Sequence, residues 1–174
     1  MAEYQIEGSD ETNSYSFMLA ITEDPSGTVW VGDRNHGLYS LAPGDSLFKA
    51  APIDPSTFVD FTENNNHITY LYADSTNTLW ITTRTGISKY NPETETVKTI
   101  KEYNSGENIT SNNWNNIRTD NDGNIWITNN FRGMLKFDGI SDQYQEISIS
   151  GSTQFSDGGW SLTCLLYTSP SPRD

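Results

Sequence analysis

Three stretches of this chain repeat one another. Asp24-Pro25-Ser26-Gly27-Thr28-Val29-Trp30-Val31, Asp74-Ser75-Thr76-Asn77-Thr78-Leu79-Trp80-Ile81 and Asp120-Asn121-Asp122-Gly123-Asn124-Ile125-Trp126-Ile127 each place an aspartate six positions before a tryptophan flanked by two aliphatic residues. A glycine follows each tryptophan after six or seven residues, at Gly37, Gly86 and Gly133. Beyond each glycine comes an apolar pair three apart: Leu38 and Leu41, Ile87 and Tyr90, Met134 and Phe137. The period is roughly 45–50 residues, which signifies an array of like units, each burying its apolar face only against its neighbours.

Each unit reads as four strands. A β-rich stretch precedes the aspartate (Phe17 to Thr22, His67 to Tyr72, Trp114 to Thr119), and Asp-x-x-Gly or Asp-x-x-Asn is turn chemistry. Asp bonds its own backbone, and Gly or Asn accepts positive φ. Val29-Trp30-Val31 and its copies form a second strand, expected to be buried on both faces because three apolar residues run together. The glycine-led segment forms a third, and Leu47 to Lys49, Thr96 to Ile100 and Tyr144 to Ile147 supply a fourth. No amphipathic helix is readable. The expected fold is all-β: an incomplete β-propeller of about three four-stranded antiparallel blades.

Charge and composition narrow the function. Ten Lys and Arg stand against 23 Asp and Glu, a net charge of −13. That excludes a general nucleic-acid binder and an anionic membrane surface as partners of this segment. Aromatic residues make up 12 % of the chain, too many for a disordered acidic tail. No apolar run reaches the ~20 residues needed to span a bilayer, and no signal segment opens the chain. One cysteine makes no internal disulfide and no thiolate zinc site.

The pattern Glu23-Asp24-Pro25-Ser26-Gly27-Thr28-Val29-Trp30-Val31-Gly32, followed by Gly37-Leu38-Tyr39, resembles the two-component regulator propeller repeat. The third copy is close, with Met134-Leu135 after the glycine. The second departs more, with Asn77 at the turn glycine and Ile87-Ser88 after Gly86. The Asn64-Asn65-Asn66 and Thr110-Ser111-Asn112-Asn113 lead-ins also fit the family. The resemblance implies a periplasmic, extracytoplasmic sensor segment of a hybrid histidine kinase, with glycan fragments as a common input. It further implies partners in the same parent chain: more blades, a β-sandwich, a membrane helix and a kinase core. None of the kinase parts is in this sequence, so the segment itself is expected not to be an enzyme.

Blades are expected at residues 16–62, 63–109 and 110–150. Residues 1–15 read as the last strand of a preceding blade with its linker, and 151–163 as the start of a further one. The last eleven residues, Cys164 to Asp174, match codon for codon a reading frame of a transposon-end sequencing adapter, and are excluded from fold reasoning together with the sole cysteine.

The chemistry-bearing residues are few. His36 and His67 are the only histidines, and no Gly-x-Ser-x-Gly or comparable nucleophile signature is present. Asp120-Asn121-Asp122-Gly123-Asn124 resembles the start of a calcium loop, but Phe131 stands where the twelfth-position glutamate is due, so a tight turn is expected. No metal and no cofactor are expected. With strands A to D alternating in direction, the B–C and D–A loops share one end. The B–C loops contain Arg34 and His36, Arg84, and Phe131 with Arg132; the long D–A connections contain Phe58, Phe61 and Tyr103. Arginine forks suit acidic groups and aromatic faces suit sugar rings. The expected ligand site is therefore Arg34, His36, Arg84, Tyr103, Phe131 and Arg132, for an oligosaccharide. Asp24, Trp30, Gly37, Asp74, Trp80, Gly86, Asp120, Trp126 and Gly133 are expected to build the blades, the tryptophans packing blade against blade. Two other classes stay open: a streptogramin-lyase-like propeller enzyme, and a scaffold propeller for protein contacts.

Overall fold

The computed structural model describes residues 5–7, 18–33, 37–53, 68–83, 86–100, 114–129, 133–138 and 143–147. Among them there is no helix. Thirteen strands follow in order: β1 (Gln5–Ile6), β2 (Met18–Glu23), β3 (Val29–Asp33), β4 (Gly37–Leu41), β5 (Leu47–Ala50), β6 (Ile68–Ala73), β7 (Leu79–Thr83), β8 (Ile87–Asn91), β9 (Thr96–Ile100), β10 (Trp114–Thr119), β11 (Ile125–Asn129), β12 (Gly133–Phe137) and β13 (Tyr144–Ile147). They form three sheets, β2 to β5, β6 to β9 and β10 to β13, each an antiparallel meander of four strands. These are three blades of an incomplete propeller.

The turn residues explain why each meander starts where it does. In the first turn Asp24 N donates to Thr28 O and Gly27 N to Asp24 O, and the same pair of bonds recurs at Asp74/Thr78/Asn77 and Asp120/Asn124/Gly123. The fourth turn residue has positive φ in every copy: 85° at Gly27, 61° at Asn77 and 83° at Gly123. Asn is the non-glycine residue that tolerates this region best, so the second copy keeps the turn without its glycine.

Burial locates the core between blades rather than within them. One cluster joins blades one and two through Ala20, Trp30, Leu38, Ile68, Leu71, Leu79, Ile81 and Tyr90. The other joins blades two and three through Trp80, Ile87, Trp114, Ile117, Ile125, Ile127, Leu135 and Phe137. Blade two lies between both clusters, and β7 is buried at all five positions. In β11 the pattern alternates instead, with Trp126 and Thr128 half-buried, because these two residues point away from blade two.

Residues Glu3 to Glu7, read from the sequence as part of a preceding blade, behave differently where they are described. Gln5–Ile6 lies parallel to Leu47–Phe48 as a fifth strand on the first sheet. Gln5 N donates to Ser46 O, Glu7 N to Phe48 O, and Ala50 N to the Glu7 carboxylate. The outer strand of a blade has a row of unpaired backbone groups, and β1 satisfies part of it.

Blade one approaches blade two closely at Gly32. A Cβ there would lie 2.4 Å from Ile68 Cγ2 and 2.8 Å from Ile68 Cβ. Gly32→Ala should therefore cost about 1–3 kcal/mol by overpacking. Gly123→Ala, whose Cβ meets open space but whose φ is 83°, should cost about 1–2 kcal/mol through backbone strain alone. Urea titrations monitored by tryptophan fluorescence measure both losses.

Candidate functional site

The two ends of the blades are chemically different. At the A–B end each aspartate is a filled acceptor. Asp24 Oδ1 accepts from Ser26 N at 2.9 Å, Ser26 Oγ at 2.5 Å and Thr28 N at 3.0 Å, while Oδ2 accepts from Trp30 Nε1 at 2.8 Å. Asp74 repeats this with Thr76, Thr78 and Trp80, and Asp120 with Asp122, Asn124 and Trp126. The indole distance is 2.8 Å in all three blades. The sequence reading assigned these aspartates to the turn alone; the bond to the tryptophan six residues on was signalled by the constant spacing. Asn124 Nδ2 also donates to both oxygens of Asp120, so the stretch that resembles a calcium loop has its carboxylate occupied by N–H groups. Among the described residues no three His, Cys, Asp or Glu side chains are grouped as a metal would need.

The same bonds set the charge state. Burial pushes the Asp24 carboxyl up, but donation from Ser26, Trp30 and Thr28 outweighs it and holds the group below the ordinary carboxylate value of 3.8. Asp120 is lowered in the same way, burial being outweighed by Trp126, Asn124 and Asp122.

At the opposite, B–C end the second strand of each blade closes on a buried polar residue: Asp33, Thr83 and Asn129. These three occupy one register position, facing Met18, Ile68 and Trp114 on the inner strands. Thr83 shows what such a residue does, since Gly86 N donates to its Oγ1 at 3.0 Å and so closes the B–C loop. Asp33 is fully buried. Burial first, then the charges of Asp33 and Glu7, push the Tyr39 phenol up.

Every inner strand has a register irregularity at this end, between Met18 and Ala20, Ile68 and Tyr70, and Trp114 and Ile117. Such bulges re-aim side chains at the rim of a sheet. The signal was in the sequence as a break of alternation, with buried Ile68 and Leu71, and buried Trp114 and Ile117, each three apart. Thr69 Oγ1 donates to Trp114 O at 2.6 Å and so ties blade two to blade three along the rim. The rim is a polar, hydrogen-bonded floor.

The six residues expected to bind ligand, Arg34, His36, Arg84, Tyr103, Phe131 and Arg132, lie outside the described residues, as do His67, Phe58, Phe61 and the expected blade boundaries. Chain order sets Arg34 directly after Asp33 and Arg84 directly after Thr83. Of the expected blade-building residues, Trp30 meets Tyr90 edge-on at 5.7 Å and Trp80 meets Phe137 at 5.2 Å, each across a blade interface. Trp126 carries Lys136 over its ring at 5.2 Å. Gly37 has φ of 97° and opens β4; Gly133 opens β12.

Comparison with known proteins agrees with this architecture. Residues 62–85 match the family model described as "Two component regulator propeller", the repeat family read from the sequence. No curated protein matches the chain. The extracellular domain of B. thetaiotaomicron BT3049, assigned to a hybrid two component system, superposes with a TM-score of 0.59 at 20 % identity, over 78 % of this chain and 19 % of that one. That of BT4673 gives 0.60 at 20 % identity, over 77 % and 17 %. Virginiamycin B lyase from Staphylococcus aureus gives 0.56 at 15 % identity, over 76 % and 41 %. The chain spans less than a fifth of the two extracellular domains and under half of the lyase. At these identities the likeness is one of fold.

Asp24→Asn should destabilise the chain by about 2–3 kcal/mol. An amide has one acceptor oxygen, so its NH2 must face either the turn amides or the indole N–H, leaving buried donors opposed. The pH dependence has a definite sign. Both shifted carboxyls have folded values below 3.8, so their contribution is fully present above that pH and declines as the pH falls from 3.8 through the lower folded values. Urea midpoints measured from neutral pH down to acid should fall in that window, with a smaller fall in Asp24→Asn.

Proposed function

We propose that the chain is a segment of the extracytoplasmic, ligand-sensing propeller of a two-component signalling protein, placed in the periplasm, and that its B–C rim recognises an oligosaccharide with acidic groups. The observation that carries the reading is the match of residues 62–85 to the two component regulator propeller repeat, in a blade whose aspartate–tryptophan geometry recurs in both neighbours. The extracellular domains with which the chain superposes, assigned to a hybrid two component and a one component system, support it. The segment acts by binding. Its parent would add further blades and a histidine kinase whose output depends on a rigid-body shift of the propeller against its neighbours.

The rim supplies the chemistry for such a ligand. Buried Asp33, Thr83 and Asn129 fix where the three B–C loops leave the sheet. Arg34 and Arg84 start or follow in those loops, and a guanidinium fork pairs with a carboxylate or sulfate while Phe131 and Tyr103 offer faces to sugar rings. Propeller likeness to a lyase is fold-level only and adds no residue set for catalysis.

Titration calorimetry with an oligogalacturonate and a neutral dextran oligomer of matched length tests the rim. The chain should bind the acidic oligomer in preference, and the Arg34→Ala/Arg84→Ala variant should bind it at least tenfold more weakly, since a hydrogen bond to a charged group contributes roughly 1.5–3 kcal/mol. Equal binding by the variant, or no binding of either oligomer, would overturn the assignment of this face.

A further inference from the structure

The seam between blades two and three lies wholly within the chain, and its contacts do not depend on what adjoins the outer faces. Its rim end is organised by the irregularity in β6. Ile68 faces Thr83 and Tyr70 faces Thr82, so two steps along β6 match one step along β7, and Thr69 is the extra residue. A bulged residue has no place opposite it in the ladder, and its side chain leaves the row of its neighbours. Thr69 is half-buried and reaches two ways from the bulge. Its Oγ1 lies 3.0 Å from Thr82 Oγ1 in its own blade and 2.6 Å from Trp114 O in the next.

A hydroxyl has one proton to give and lone pairs to receive with, which sets the direction of these bonds. Trp114 O can only accept and is the nearer partner, so the Thr69 proton goes there rather than to Thr82 O at 3.1 Å. Thr82 Oγ1 then donates to Thr69 Oγ1. The three groups form a relay, Thr82 to Thr69 to Trp114 O, in which each bond polarises the other. Thr82 is fully buried, so its hydroxyl is sheltered from solvent.

Both ends of the relay are loop anchors. Thr82 precedes Thr83, whose N–H donates to Gly86 O at 2.9 Å and whose Oγ1 accepts from Gly86 N at 3.0 Å, closing the B–C loop of blade two. Arg84 comes next in the chain. Trp114 opens β10, and the D–A connection that contains Tyr103 ends on it. In blade one the residue at the break is Leu19, a side chain with no hydroxyl, so the first seam cannot repeat the relay.

We propose that Thr69 is a positioning residue of the rim: its hydroxyl locks the anchor of the Arg84 loop to the entry of blade three, fixing the spacing that an acidic oligosaccharide bridging the two blades must match. Thr69 acts through the two anchors and need not touch the ligand. The inference deepens the reading of the rim as a ligand site and rests on it.

Titration calorimetry with the same oligogalacturonate and dextran oligomers, on variants shown by circular dichroism to be folded, tests this. Thr69→Val keeps the shape of the side chain without its hydroxyl, and should bind the acidic oligomer about fivefold more weakly. Thr69→Ser, which restores the hydroxyl, should bind like wild type. Gly123→Ala, strained at the opposite end of the blades, should also bind like wild type, which separates positioning from a general loss of stability. Should Thr69→Val lose its fold, Thr82→Val cuts the relay at its other end and should show the same loss. Binding by Thr69→Val equal to wild type, no recovery in Thr69→Ser, or an equal loss in Gly123→Ala would each refute the positioning role and leave the ligand reading standing. A wild-type chain that binds neither oligomer would remove the ligand reading and this role together.

Discussion

A carboxylate that accepts four or more hydrogen bonds holds each blade together. Asp24, Asp74 and Asp120 fix the A–B turn with one oxygen and an indole N–H with the other. A charged acceptor makes such bonds about twice as strong as neutral ones. The consequence reaches beyond the turn, because the ring it pins is the one that packs on the next blade. Trp30 and Trp80 are thus held from one end by their own sheet and meet Tyr90 and Phe137 of the following sheet with the other. Blade formation and blade stacking are coupled through a single side chain.

That coupling explains the division of labour between the two ends. The A–B end is saturated with internal bonds and offers a ligand little. The B–C end keeps buried polar residues, Asp33, Thr83 and Asn129, at one register position, with bulged inner strands opposite. Loop-borne recognition needs a bonded scaffold beneath it, and the A–B turns supply one. The proposed sensing role uses this asymmetry.

Much of the architecture was legible in the residues, because the repeat enforces it three times. The inner strand expected from Trp114 to Thr119 is β10, and the strand expected from Phe17 to Thr22 is β2, displaced by one residue. Positive φ at Gly27, Asn77 and Gly123 follows from the turn residues themselves. The constant six-residue spacing carries the signal of the indole bond, but an Asx turn by itself accounts for an aspartate at that place, so the spacing alone does not compel the bond. The pairing of Gln5–Ile6 with β5 was not readable, since a two-residue strand does not encode its non-local partner. The polar floor of the rim escaped notice for another reason: Asp33, Thr83 and Asn129 differ in chemistry, and only the sheet register shows that they are equivalent.

The pinned indoles give the most direct test. Hydrogen exchange of the tryptophan side-chain N–H groups, followed by NMR after transfer to D2O, reads the carboxylate–indole bond itself. The Trp30 and Trp80 indoles should exchange as slowly as the central-strand amides around them, opening only when a blade opens. Indoles that exchange at the rate of free tryptophan while those amides stay protected would show that the bond is not what holds the blades.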